Sequence, residues 1–168
     1  MEVDMIDMPP GQRQKVYGPE YVSRAFKIDG YVDNPRTFTA EDLRQRPQVV
    51  IRDVDILCGS GKLKEEGLTY TGVLLRDLLQ ESKMRLEEHE VPNRTYIVAS
   101  GTDGYRALYS WHEIFNSPQG EGLVVVLTKN GQILGEKEGE LCLVSTRDER
   151  PGPRRIRYLS RVEVCRLE

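Results

Sequence analysis

The chain has 168 residues, 38% hydrophobic and 30% charged, with a formal net charge of −3. That is the size and composition of one folded domain, and it excludes disorder, which needs fewer apolar residues and a stronger charge bias. The charge leaves no overall basic field to hold nucleic acid or an anionic membrane, and no run approaches the roughly 20 apolar residues of a membrane helix.

Residues 1–20 carry Pro9, Pro10, Gly11, Gly18 and Pro19 without periodicity and read as an extended or disordered arm, leaving one domain over 21–166. Met1 to Pro10 is acidic and lacks the apolar core of a signal. An extracytoplasmic location stays open if a signal was removed. Tyr21 to Asp33 reads as a strand region ending at the Asn34-Pro35 turn. Thr39-Ala-Glu-Asp42 starts a short helix, with Thr39 as cap and acids in the first turn. Gln48 to Leu57 is strand-like, and the period-two rule puts Val50, Val54, Ile56 and Cys58 on one face. Gly59-Ser60-Gly61 follows as a turn. Thr71-Gly72 is expected to start a helix whose stripe is Val73, Leu74, Leu75, Leu78 and Leu79.

Tyr96 to Ser100 and Tyr105 to Tyr109 are short strands around a Gly101-Thr-Asp-Gly104 turn. Ser110-Trp-His-Glu113 has the capping-box pattern and starts a helix through Phe115. Leu123 to Leu127 is a buried strand, followed by the hairpin signal Asn130-Gly131, which suits a type I′ turn. Leu141 to Ser145 and Ile156 to Cys165 are the last strands, separated by Pro151-Gly-Pro153. Short strands outnumber helices and the two alternate irregularly, which is the α+β class, with mixed sheets and short surrounding helices.

The three cysteines, Cys58, Cys142 and Cys165, are widely spaced and odd in number, which excludes a disulfide framework. A single pair stays open, including Cys58 with Cys142. The two histidines, His89 and His112, lie at no ligand spacing from a cysteine, against zinc. Cys58-Gly-Ser-Gly-Lys62 is the first candidate site. A thiol leaving a strand, followed by two glycines, can offer sulfur at close backbone range, and Lys62 favours the thiolate, the form that ligates soft metals. A small core residue before a tight turn explains the same segment, since cysteine is among the most buried residue types. The segment is not a phosphate loop, because Ile56 and Leu63 stand where glycine and Ser or Thr are needed. Nor is it a G-x-S-x-G elbow.

Seven arginines, Arg147, Arg150, Arg154, Arg155, Arg157, Arg161 and Arg166, crowd the last stretch. Arginine forks match anionic oxygens. Equally, Arg155, Arg157 and Arg161 alternate with Ile156, Tyr158 and Val162 as a solvated strand face would. No aromatic platform accompanies them, against single-stranded nucleic acid. Ser100-Gly-Thr-Asp-Gly-Tyr105 can approach a ligand closely or be a simple turn.

Taken in order, Ile28-Asp-Gly-Tyr-Val-Asp-Asn-Pro35, the strand ending in Cys58, Tyr70-Thr-Gly-Val-Leu-Leu-Arg-Asp-Leu-Leu79, Ser100-Gly-Thr-Asp-Gly-Tyr105, Gly139-Glu-Leu-Cys-Leu-Val144 and Gly152 to Val164 resemble the molybdopterin-binding domain of the sulfite oxidase family. The resemblance covers about Phe26 to Val164. It implies that fold and a molybdenum–molybdopterin cofactor, with Cys58 as the protein ligand of the metal and two-electron oxo-transfer chemistry. It further implies Ser60, Lys62, Ser100, Asp103, Arg154 and Arg157 as cofactor contacts, Tyr105 near the reacting centre, and a redox partner protein. The departures are specific. Residues 17–24 lack the family's Arg-Asn-His type segment, and the cysteine loop is Cys-Gly-Ser-Gly rather than Cys-x-Gly-Asn-Arg. Cys142 stands where an arginine is common, and Thr146 where a proline is. These motivate the alternative of a cofactor-free relative that binds a small anion or a protein.

Overall fold

A computed structural model describes residues 18–168; most of the expected arm, residues 1–17, lies outside the described residues. From Pro19 to Tyr21 the chain already makes one 3-10 turn. Ten strands and four short helices follow. The first sheet runs β2-β1-β10-β5-β6, formed by β1 (Ala25–Gly30), β2 (Arg36–Thr39), β5 (Thr95–Gly101), β6 (Arg106–Ser110) and β10 (Leu159–Arg166). Its β1–β10 pair is parallel and its other pairs are antiparallel. The second runs β3-β4-β7-β8, with β3 (Val49–Leu57), β4 (Leu63–Leu74), β7 (Leu123–Lys129) and β8 (Gln132–Ile133), and β9 (Cys142–Ser145) also pairs with β7.

Side-chain alternation explains where the core sits. Along β7, Leu123, Val125 and Leu127 join a cluster with Phe26, Ile28, Ile97 and Val162 of the first sheet, while Val124 and Val126 join Val54, Ile56, Tyr70 and Val144 on the other face. Strand β7 is therefore buried on both faces, which is why it reads as a continuous apolar run. The helices α1 (Ala40–Arg44), α2 (Leu75–Glu81), α3 (Val91–Arg94) and α4 (Trp111–Phe115) are too short to stand alone. Helix α2 gives Leu75, Leu78 and Leu79 to the first cluster, and α1 gives Ala40 and Leu43.

The local signals at the turns are realised. The Thr39 hydroxyl accepts from the Asp42 amide at 3.0 Å. Ser110 and Glu113 form the reciprocal capping box, each bond 3.0 Å. Asn130 and Gly131 have φ of 53° and 80°, as a type I′ turn requires. Ser110→Ala leaves the Glu113 amide without its acceptor and is expected to lower stability by about 1 kcal/mol; a thermal melt checks it.

Three expectations are corrected. The helix expected from Thr71-Gly72 begins only at Leu75, because Leu63 to Leu74 form a long strand between β3 and β7. Val50 does not share a face with Val54 and Ile56. It is 48% exposed, and Val49 and Ile51 pack inward instead. The register shifts between Ile51 and Val54, and Asp53 has φ of 60°, so an irregularity there reverses the alternation. Finally, the last strand starts at Leu159, not Ile156. Tyr158 has φ of 55° and Gly152–Arg154 is a 3-10 turn, so Arg155 and Arg157 are not the solvated face of a strand.

No helix among the described residues is long and apolar enough to cross a membrane. Cys58, Cys142 and Cys165 are all free, so no Cys58–Cys142 bridge forms.

Candidate functional site at the Cys58 turn

Strands β3 and β4 form a hairpin with Cys58 at its tip. The Cys58 amide donates to the Lys62 carbonyl and the Gly61 amide to the Cys58 carbonyl, both at 2.9 Å. This closes the chain into a tight turn with the thiol half-exposed. The Ser60 hydroxyl lies 2.9 Å from Sγ. That contact is the leading cause that lowers the thiol pKa from 9.0 to about 7; the Ser60 backbone adds to it, burial opposes it, and the Lys62 backbone and the charge of Lys64 lower it further by less. About half the sulfur is then thiolate near neutral pH, the form that binds soft metals. The other two thiols differ. Cys142 is buried in β9, where desolvation pushes its pKa up to about 12, and desolvation pushes that of Cys165 up to about 11.

The turn rests on a platform made by residues 150–154. A side chain on Gly152 would meet the Leu57 carbonyl oxygen at 2.5 Å and the Cys58 Cα at 3.3 Å, so only glycine allows this approach. The Pro153 ring lies 3.8 Å from the direction of a Gly59 side chain, and Arg150 donates to the Gly59 carbonyl. The Tyr105 hydroxyl donates to the Pro153 carbonyl, and the buried Tyr109 hydroxyl donates to the Arg154 carbonyl at 2.9 Å. The Cys58–Lys62 turn and Tyr105, far apart in sequence, thus meet on one platform.

The remaining expected site residues are placed differently. Lys62 is exposed and takes part through its backbone. The Ser100 carbonyl accepts from the Ser160 hydroxyl at 3.2 Å, which ties β5 to β10, and Asp103 accepts from the Tyr105 amide at 3.2 Å within the turn between β5 and β6. Arg154 points inward. Its guanidinium makes two bonds to Asp148, at 2.9 and 2.6 Å, one to Glu113 at 2.9 Å and one to the Leu108 carbonyl at 3.0 Å, and it lies 4.6 Å from the centre of the Tyr109 ring. Arg157 borders a groove of about 900 Å³ that Lys64, Lys129 and Arg155 also line. Of these, Arg155 is bound to Glu65 at 2.8 Å and Lys129 to Glu65 and Glu138 at 2.9 and 2.6 Å.

Arg150 and Gly152 appear in the arginine run and the matched final segment, but sequence reasoning did not place them, or Asp148, around the cysteine turn. The Pro151-Gly-Pro153 break was the one available signal: a segment barred from regular structure beside a cysteine loop invites such packing.

A free, acid-shifted thiol thus stands half-exposed at the tip of the β3–β4 hairpin, and Lys64 of the same hairpin lines a groove of mixed charge. The chain belongs to the family of the oxidoreductase molybdopterin binding domain, whose model matches residues 19–166. Among solved structures it is similar to the sulfane dehydrogenase SoxCD from Paracoccus pantotrophus, with a TM-score of 0.68 and 18% identity over 90% of this chain and 40% of that one. At that identity the likeness concerns the fold, and this chain spans well under half of that protein's chain. A search of curated sequences returned no match.

Proposed function

We propose that this domain binds a molybdenum–pterin cofactor through the Cys58 thiolate and serves as an oxidoreductase for two-electron oxygen-atom transfer. The observation that carries the reading is the Cys58 turn: of the three thiols, the one whose pKa is lowered stands half-exposed at a hairpin tip. The residues present fit such a group. Sulfur is the soft donor that molybdenum takes, the thiol is half-exposed, and Lys64 and Arg157 would bring positive charge towards an anionic pterin. When bound, the cofactor supplies the two-electron chemistry.

The chain's own residues would hold and orient it. Cys58 is the metal ligand. The Ser60 hydroxyl donates to the sulfur and keeps it ionised. Lys62 and Arg157 would offer positive charge to the cofactor's anionic groups, Asp103 would fix the turn that carries Tyr105, Ser100 would anchor the neighbouring end of β5, and Tyr105 would form a wall of the site. Oxidation of a substrate also requires an electron acceptor, for which a redox partner protein is the natural class.

One observation favours the alternative of a cofactor-free anion- or protein-binding module. Arg154, which the family resemblance assigns to the cofactor, spends its donors on Asp148, Glu113 and Leu108.

Thiol chemistry on the cofactor-free protein tests the reading. Iodoacetamide is expected to modify Cys58 first. The rate should rise with thiolate through a midpoint near pH 7 and level off above it, where an ordinary thiol of pKa about 8.5 would still be climbing. Cys142 should stay protected until the protein unfolds. Protein alkylated at Cys58 should then take up no molybdenum cofactor in reconstitution. Full uptake by the alkylated protein would sink the proposal.

A further inference from the structure

We infer that Asp148 is a positioning residue for the cysteine turn, acting through Arg154; its functional part rests on the reading of Cys58 as metal ligand.

The geometry forms a chain of contacts. Asp148 follows β9 and is fixed there by the Ser145 hydroxyl at 2.9 Å. It grips Arg154 with both carboxylate oxygens, a bidentate geometry that sets direction as well as distance. Glu113 and the Leu108 carbonyl hold the same guanidinium from α4 and the edge strand β6. Arg154 thereby ties the second sheet to the first at the segment that supports Cys58. Tyr105 and Tyr109 fix the carbonyls of Pro153 and Arg154, and Gly152 lies against the Cys58 backbone. Moving Asp148 moves Arg154, then the platform, then the turn.

Charge decides against Arg154 as a direct anion contact. Four of the five N–H donors of a guanidinium are engaged. The group of Arg154, Asp148 and Glu113 carries two negative charges against one positive, so an arriving anion meets net repulsion and must displace a carboxylate. Arg157, beside the groove, has no carboxylate partner among the described ion pairs and is the arginine left to face a ligand.

The test uses amide NMR spectra of the full chain without cofactor, with Asp29→Asn as control. Asp29 makes an equally bidentate pair with Arg161, at 3.0 and 3.2 Å, between β1 and β10. Asp148→Asn is expected to shift the amides of Gly59, Ser60, Gly61 and Tyr105, and to speed exchange of the Gly61 amide by about tenfold through local opening. Asp29→Asn should leave all four unmoved. A residue that merely stabilised the fold would lower the melting point without moving the folded protein's turn. If Asp148→Asn does not fold, Tyr105→Phe, which removes one exposed hydroxyl from the platform, must shift the same turn. Unmoved Gly59 and Gly61 amides in the folded variants would overturn the inference. In cells that make the cofactor, Asp148→Asn should also hold several-fold less molybdenum than wild type. Wild type without molybdenum would defeat the reading of Cys58, and the amide shifts would still judge the positioning role.

Discussion

Gly72→Ala should destabilise the protein by about 3 kcal/mol, near the upper end of what overpacking costs. The reason is the close approach of β4 to its sheet partner β7 where their register shifts. A Cβ on Gly72 would lie 2.0 Å from the Val125 carbonyl oxygen, 2.9 Å from its carbon and 3.0 Å from the Val126 Cα. All three are backbone atoms of a strand buried on both faces, so no side chain can swing aside, and a packed interior transmits the strain. For a domain of this size the loss corresponds to a fall in Tm of roughly 10 °C. Gly135→Ala is the control, because nothing lies within 4 Å of its added carbon, and it should melt close to wild type. Equal melting temperatures for the two variants would contradict the pairing of β4 with β7.

The same strand shows what the sequence could and could not convey. Capping and turn chemistry act within a few residues, so Thr39, the Ser110–Glu113 box and Asn130-Gly131 were legible, as was the doubly buried run Leu123 to Leu127. Strand β4 was not. Its first half, Leu63 to Gly67, is mostly exposed at the hairpin tip and offers no alternation. Its last three residues, Gly72 to Leu74, are buried and run straight into the α2 stripe, so strand and helix merged into one apolar pattern. Val50 was misassigned because a single irregularity at Asp53 inverts a period-two face.

At the site, the cysteine turn was visible because a thiol and two glycines are adjacent in the chain. The platform was not, since Tyr105, Asp148 and Gly152 come together only after both sheets form. Sequence spacing also could not separate the arginines. Arg154 turns into an ion-pair network and Arg157 faces a groove because a 3-10 turn and the positive φ of Tyr158 bracket them.

Cys58→Ser should abolish metal binding while sparing the fold. The sulfur sits on a half-exposed turn, so its replacement removes little buried surface. Chemically the change is large. A serine hydroxyl stays protonated at neutral pH and is a hard oxygen donor, whereas thiolate is soft and here half-ionised near pH 7. Cys165→Ser, far from the turn in β10, removes a thiol pushed up to about 11 and should leave metal content unchanged.

The most direct measurement is molybdenum per chain, by elemental analysis, in wild type, Cys58→Ser and Cys165→Ser purified from a host that makes the cofactor. Near-stoichiometric molybdenum in wild type and Cys165→Ser, with none in Cys58→Ser, is the predicted result. Molybdenum that persists in Cys58→Ser, or that is absent from wild type while another family member loads in the same host, would contradict it.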